Sequence, residues 1–207
     1  MADPHRYRIP SADSAHEFKE QGSRFLALLS PCASPAGAAG HLDSLRRRHH
    51  DATHHCWAYR CGWGAGLAER CGDDGEPSGT AGQPILRSLQ EGEVSDASLV
   101  VVRWFGGVKL GTGGLARAYR ASARGAIAGA RLEERVLTAT LLCDLPYGAQ
   151  GSFRRLAKKT GAQLGTESFA EGWSVEAAVP LGTLPEFEAR MAELSESWKG
   201  AVRWKSK

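Results

Sequence analysis

The stretch RWFGGVKLGTGGLARAYRASARG, Arg103–Gly125, follows the apolar run ASLVVV and leads into a segment of helical composition. Glycine occupies Gly106, Gly107, Gly111, Gly113, Gly114 and Gly125. Glycine loses more conformational freedom on ordering than any other residue, so this density needs a reason. A strand, a glycine loop and a helix N-terminus in series present free backbone N–H groups and the positive end of a macrodipole, which suits an anion. The stretch is not a Walker loop, because no Gly-Lys-Ser/Thr follows at the required spacing. Nor is it a dinucleotide fingerprint, since GTGGLA has the wrong spacing and no acidic residue is placed for a ribose. A tight strand-to-helix turn with close helix–sheet contact explains the glycines equally well. Both readings stay open at this level.

Working outward, HRYRIP, AHEFKEQ and SRFLALLSP read as strands. A helix opens at Ser34-Pro35, with Ser34 as N-cap, and Ala38, Leu42 and Leu45 form its inner stripe. HHCWAYRCG and GLAERCG are strands, and a short helix starts near Gly82 or Pro84 with Gly92 past its end. ASLVVVRWF is a buried strand, and a long small-residue helix follows the glycine loop. A junction is expected near Arg131–Arg135. The remainder reads β-α-β-β-α-β, the order of a ferredoxin-like sandwich. The pattern therefore predicts an α+β protein of two domains, residues 1–133 and 134–207.

The chain has 207 residues, 42% hydrophobic and 24% charged, with a formal net charge of +3. Such a balance is that of a globular protein and does not by itself imply a nucleic-acid partner. The N-terminus MADPHRYRIP has no apolar core of a secretory signal, and ASLVVV is too short to span a bilayer. A cytoplasmic protein with no membrane association is expected. The five cysteines are odd in number and irregular in spacing, so reduced thiols are expected.

Three further constellations could carry chemistry. GDDGEPSGTAGQP, Gly72–Pro84, places Asp73, Asp74 and Glu76 on a Gly/Pro loop, either a solvated acidic turn or a Mg²⁺ seat, with Ser78 and Thr80 near a helix start. HHDATHHC suggests zinc, but there is no CxxC, and on a strand His54 and Cys56 share one face while His55 and Trp57 share the other. Basic residues recur on single faces: Arg117, Arg120 and Arg124; Arg154 and Arg155 with Lys158 and Lys159; Arg203, Lys205 and Lys207. Each stripe alone is an ordinary solvated face, but their number suits an anionic partner.

SRFLALLSP, DATHHCWAYR, DDGEPSGTAGQPIL and VVVRWFGGVKLGTGGLARAY, in this order, resemble the IMPACT/YigZ family. The resemblance covers roughly residues 15 to 130, and the remainder is similar to the small C-terminal domain of the bacterial members. It implies an N-terminal left-handed βαβ domain like domain 2 of a ribosomal small-subunit protein. It also implies a C-terminal ferredoxin-like domain like domain V of elongation factor G. Eukaryotic IMPACT is a translational regulator, whereas no firm enzymatic activity comes with the bacterial members. The resemblance and the basic faces together suggest a non-enzymatic, translation-associated protein that binds RNA or the ribosome. Alternatives are an enzyme acting on a phosphorylated small molecule with Mg²⁺, and a protein–protein adaptor. The candidate anion or nucleic-acid contacts are His55, Asp74, Glu76, Thr80, Arg103, Gly106, Gly107, Gly111, Gly113, Gly114, Arg117, Arg120, Arg154, Arg155, Lys158 and Lys159. No catalytic residue, metal or cofactor is assigned.

Overall fold

Strand β6 (Ala97–Trp104) is buried on both faces along seven of its eight residues, which is why it reads as an unbroken apolar run. It is the centre of a five-stranded sheet in a computed structural model that describes residues 5–207, so Met1–Pro4 of the polar N-terminal stretch lie outside the described residues. The sheet also contains β2 (Ser14–Glu20), β3 (Ser23–Pro31), β4 (His54–Cys61) and β5 (Ala68–Gly72), in the order β2-β3-β6-β4-β5. Both β3 and β4 run antiparallel to β6. They are therefore parallel to each other, and α1 (Pro35–Arg48) crosses from one to the other. That is the βαβ unit the resemblance implied.

Helices cover both faces. Phe25, Ala27, Leu29, Cys56, Ala58, Leu99 and Val101 pack with the buried residues of α2 (Gly82–Glu91) and α3 (Gly111–Ala128). On the opposite face Val100 and Val102 pack with Leu42 and Leu45 of α1. Helix α1 starts as its sequence requires: the Ser34 side chain accepts the Gly37 N–H, and Pro35 sits in the first turn.

The expected junction at Arg131–Arg135 proves to be a strand. β7 (Leu132–Val136) pairs with β1 (Arg6–Pro10) in a two-stranded sheet. Four of its five residues are exposed, so it lacks the apolar alternation that marks a strand in sequence. The chain divides here into two compact units, Tyr7–Arg135 and Val136–Lys207, the latter with the described residues before Tyr7.

In the second unit β8 (Thr138–Leu145), α4 (Gln150–Thr160), β9 (Gln163–Phe169), β10 (Trp173–Pro180), α5 (Leu184–Ser197) and β11 (Arg203–Ser206) follow in that order. The strands pair antiparallel as β11-β8-β10-β9. Together with the two helices this is the ferredoxin-like arrangement predicted from the element order. Its core joins Leu141, Cys143, Val175 and Ala177 to Phe153 of α4 and to Phe187 and Met191 of α5. All five cysteines are free thiols. Among the described residues no helix is long and apolar enough to cross a membrane.

Candidate functional site

Glu76 is the hub of the first unit. Its side chain is 4% exposed and its Oε1 sits 2.5 Å from Nη1 of Arg103, itself 5% exposed. The Tyr119 hydroxyl donates to the same carboxylate oxygen at 2.7 Å. The Cys56 thiol donates to the Tyr119 oxygen and also lies 3.0 Å from the Asp73 carbonyl. His54 Nε2 stands 3.9 Å from Glu76 Oε1, and its Nδ1 lies 2.8 Å from the Asp74 carbonyl. Loop, strand β4, strand β6 and helix α3 thus meet on one buried carboxylate. A buried charge is tolerable only when paired and hydrogen-bonded, and here it is both. Burial, with the Glu76 charge beside them, pushes the Tyr119 phenol and the Cys56 thiol well above their usual ranges, so both stay protonated.

The other two acids of DDGE are also engaged. Asp73 accepts from the backbone N–H groups of Gly79, Ala81 and Gly82, which closes the loop and covers the N-terminus of α2. Burial opposes its charge, but the three donors prevail and hold its carboxyl below the usual value. Asp74 takes a φ of 46° and pairs with Arg46 of α1 at 2.5 Å, while its other oxygen accepts the His55 N–H. Among the described residues no three His, Cys, Asp or Glu side chains converge as a metal seat.

The glycine loop lies beside this hub. A cleft of about 330 Å³ is lined by Glu76, Pro77, Arg103, Lys109, Gly111 and Thr112, among others, so the two signature loops do share one cavity. Helix α3 starts here with no side-chain cap and no acidic residue in its first turn. Its first N–H groups therefore keep the unsatisfied donors and positive dipole end of an open helix terminus. The Nε of Arg103, in the cleft wall, is buried without a hydrogen-bond partner.

The predicted contacts separate into three kinds. Glu76, Arg103, Gly111 and Lys109, the last not among the predicted contacts, meet at the cleft. Others serve the fold instead. Thr80 is buried and its hydroxyl donates to the Pro77 carbonyl. Gly106 donates its N–H to Ser23 Oγ and abuts the Gly22 backbone. Asp74 ties the loop to α1. His55 pairs with Val102 across the sheet, and so faces α1, whereas His54 pairs with Arg103 and faces Glu76. Burial lowers the His55 pKa even with the Asp74 carboxylate close by, so the ring is neutral at pH 7. The strand alternation that separates the two histidines is readable in the sequence; it is the position of Glu76 that singles out His54. Gly107, with φ 88°, and Gly113 and Gly114 of the α3 first turn are not in the wall of the cleft.

The third kind is the basic rows. Arg120 is paired with Glu91, and Arg117 is exposed. In the second unit Arg154 is held by Glu167 and lies over the Trp173 ring, which makes it part of that unit's packing. Arg155 donates to Ser152, Lys159 is paired with Glu186, and Lys158 is exposed.

The Impact N-terminal domain family matches residues 21–127, which hold every residue of the Glu76 hub and the cleft. An IMPACT family member of Haemophilus influenzae is 31% identical over 190 residues, spanning 91% of this chain and 92% of that protein. The IMPACT family member YvyE of Bacillus subtilis is 32% identical over 191 residues, spanning 92% and 88%. A crystal structure described as that of a hypothetical protein matches with a TM-score of 0.62 at 27% identity, over 98% of both chains. The family match spans half of the chain and these relatives align along nearly its whole length, and this chain belongs to the IMPACT family.

Proposed function

We propose that this protein acts in the control of translation, in the cytoplasm, by binding RNA or the ribosome and not by catalysis. The observation that carries the reading is the cleft at the start of α3, where uncapped backbone N–H groups, Lys109 and Arg103 converge and no acidic side chain is left unpaired. Such a terminus suits one phosphate group. The human relative named Protein IMPACT is 32% identical over 107 residues, spanning half of this chain and a third of that protein. The resemblance to that family carries the link to translation.

An enzyme reading has less support from the same residues. The three carboxylates that would hold Mg²⁺ already bind protein donors, and His55 faces the other side of the sheet. Filter binding of the full chain to RNA and to ribosomes across a salt series tests the reading. Binding at low salt that weakens linearly in log K against log salt is the expected result. No binding at low salt, or binding indifferent to salt, would refute it.

A further inference from the structure

Helices α2 and α3 lie side by side on the sheet, and two grooves run end to end along their seam. The first, of about 400 Å³, is lined by Gly79, Gln83 and Pro84 with Arg87, Arg117 and Arg120. The second, of about 450 Å³, is lined by Arg8, Glu91 and Arg124 together with Ser88, Gly92 and Ile127. Five arginines thus border one seam, against the single acid Glu91. Arg8 is anchored on the Gly92 carbonyl, and Arg120 on Glu91. Arg87, Arg117 and Arg124 are exposed and make no hydrogen bond or ion pair to another described residue. Within the unit the charges of Arg87 and Arg124 are met only at a distance, by Glu91.

We propose that the α2–α3 seam is a track for one strand of RNA, held by its phosphates; this rests on the RNA-binding reading above and names the surface that reading needs. The repeat of charge decides the ligand. Arg117, Arg120 and Arg124 follow one another along α3 by about 4.5 and 6 Å of helix rise. The three thus stand in one line along the helix, a row of cations that suits a polymer with one charge per unit. From Arg117 to Ala128 the seam runs about 16 Å. At about 3.4 Å per stacked nucleotide this accommodates about five nucleotides. A groove between two packed helices admits a single backbone and not the width of a duplex. No aromatic side chain lines it, so the protein neither stacks on the bases nor reads them, and binding is indifferent to sequence. Glu91 opposes the phosphates and sets the affinity below what five free arginines would give.

The test is fluorescence anisotropy of the full chain with labelled oligouridylates of three, five and ten nucleotides over a salt series. Affinity should rise steeply from three to five nucleotides and then flatten. Arg87→Ala with Arg117→Ala should lower the slope of log K against log salt by about 1.4, at about 0.7 per lost contact. Arg87→Lys with Arg117→Lys should retain the slope, and Glu91→Gln should bind several-fold tighter. Oligoadenylate should bind within a few-fold of oligouridylate. If the wild type binds RNA but the double alanine variant keeps its affinity and slope, the track is wrong and the RNA-binding reading stands. If the wild type binds no RNA, both fall. Tighter binding of a duplex of equal length, or equal competition by polyglutamate of matched charge, also overturns the track.

Discussion

Replacing Arg103 by Met is expected to destabilise the first unit by about 3–5 kcal/mol, because it leaves Glu76 charged, buried and without its cation. The buried guanidinium bridges two elements, donating from Nη1 to Glu76 and from Nη2 to Ser23. Lys cannot make both contacts with one ammonium, so Arg103→Lys should recover little of the loss. Glu76→Gln alone should also destabilise, since Arg103 is then the uncompensated charge. The double variant Arg103→Met with Glu76→Gln should cost less than the sum of the two, which is the signature of a direct pair. Urea unfolding followed by circular dichroism measures all four. An Arg103→Met variant within about 1 kcal/mol of wild type would show that this pair does not hold the loop to the sheet.

Gly106→Ala is the second large effect. A Cβ at Gly106 would lie 1.9 Å from the Gly22 carbonyl carbon and 2.2 Å from the Ser23 nitrogen. Both are backbone atoms, so no rotamer change relieves the overlap, and the β2–β3 turn or the glycine loop must move. A loss of about 3 kcal/mol or more is expected, or failure to accumulate folded protein. Gly113→Ala is the contrast. Its Cβ would meet only Arg117 Nη1, at 3.5 Å, in ordinary contact. Thermal unfolding should place Gly113→Ala close to wild type, and Ala's better helix propensity works in its favour. Equal stability of the Gly106 and Gly113 variants would refute the packing role of Gly106.

These contrasts show what was legible from residues alone. The elements were, because periodicity, the Ser34 cap and the glycine stops are local signals. The ferredoxin-like pairing followed from element order, and the strand order bears it out. β7 was not legible, since an exposed two-stranded pairing needs β1, more than a hundred residues earlier, and leaves no apolar period. The site was half legible. Spacing alone does not join the acidic and glycine loops, which line one cleft in the fold. Composition could not tell that Asp73, Asp74 and Glu76 each find protein donors, because those donors come from α1, α2, α3 and β6. Nor could it tell that Gly106 serves close packing while Gly111, with φ 69°, supplies the left-handed turn into α3.

The phosphate seat proposed at the start of α3 has a direct test. Titration of the isotopically labelled full chain with inorganic phosphate, followed by amide chemical shifts, tests it most directly. Saturable shifts centred on Lys109, Leu110, Gly111 and Thr112, lost when Lys109 is replaced by Ala, are the predicted result. Shifts confined to the second unit, or none at all as phosphate is raised at constant ionic strength, would contradict it.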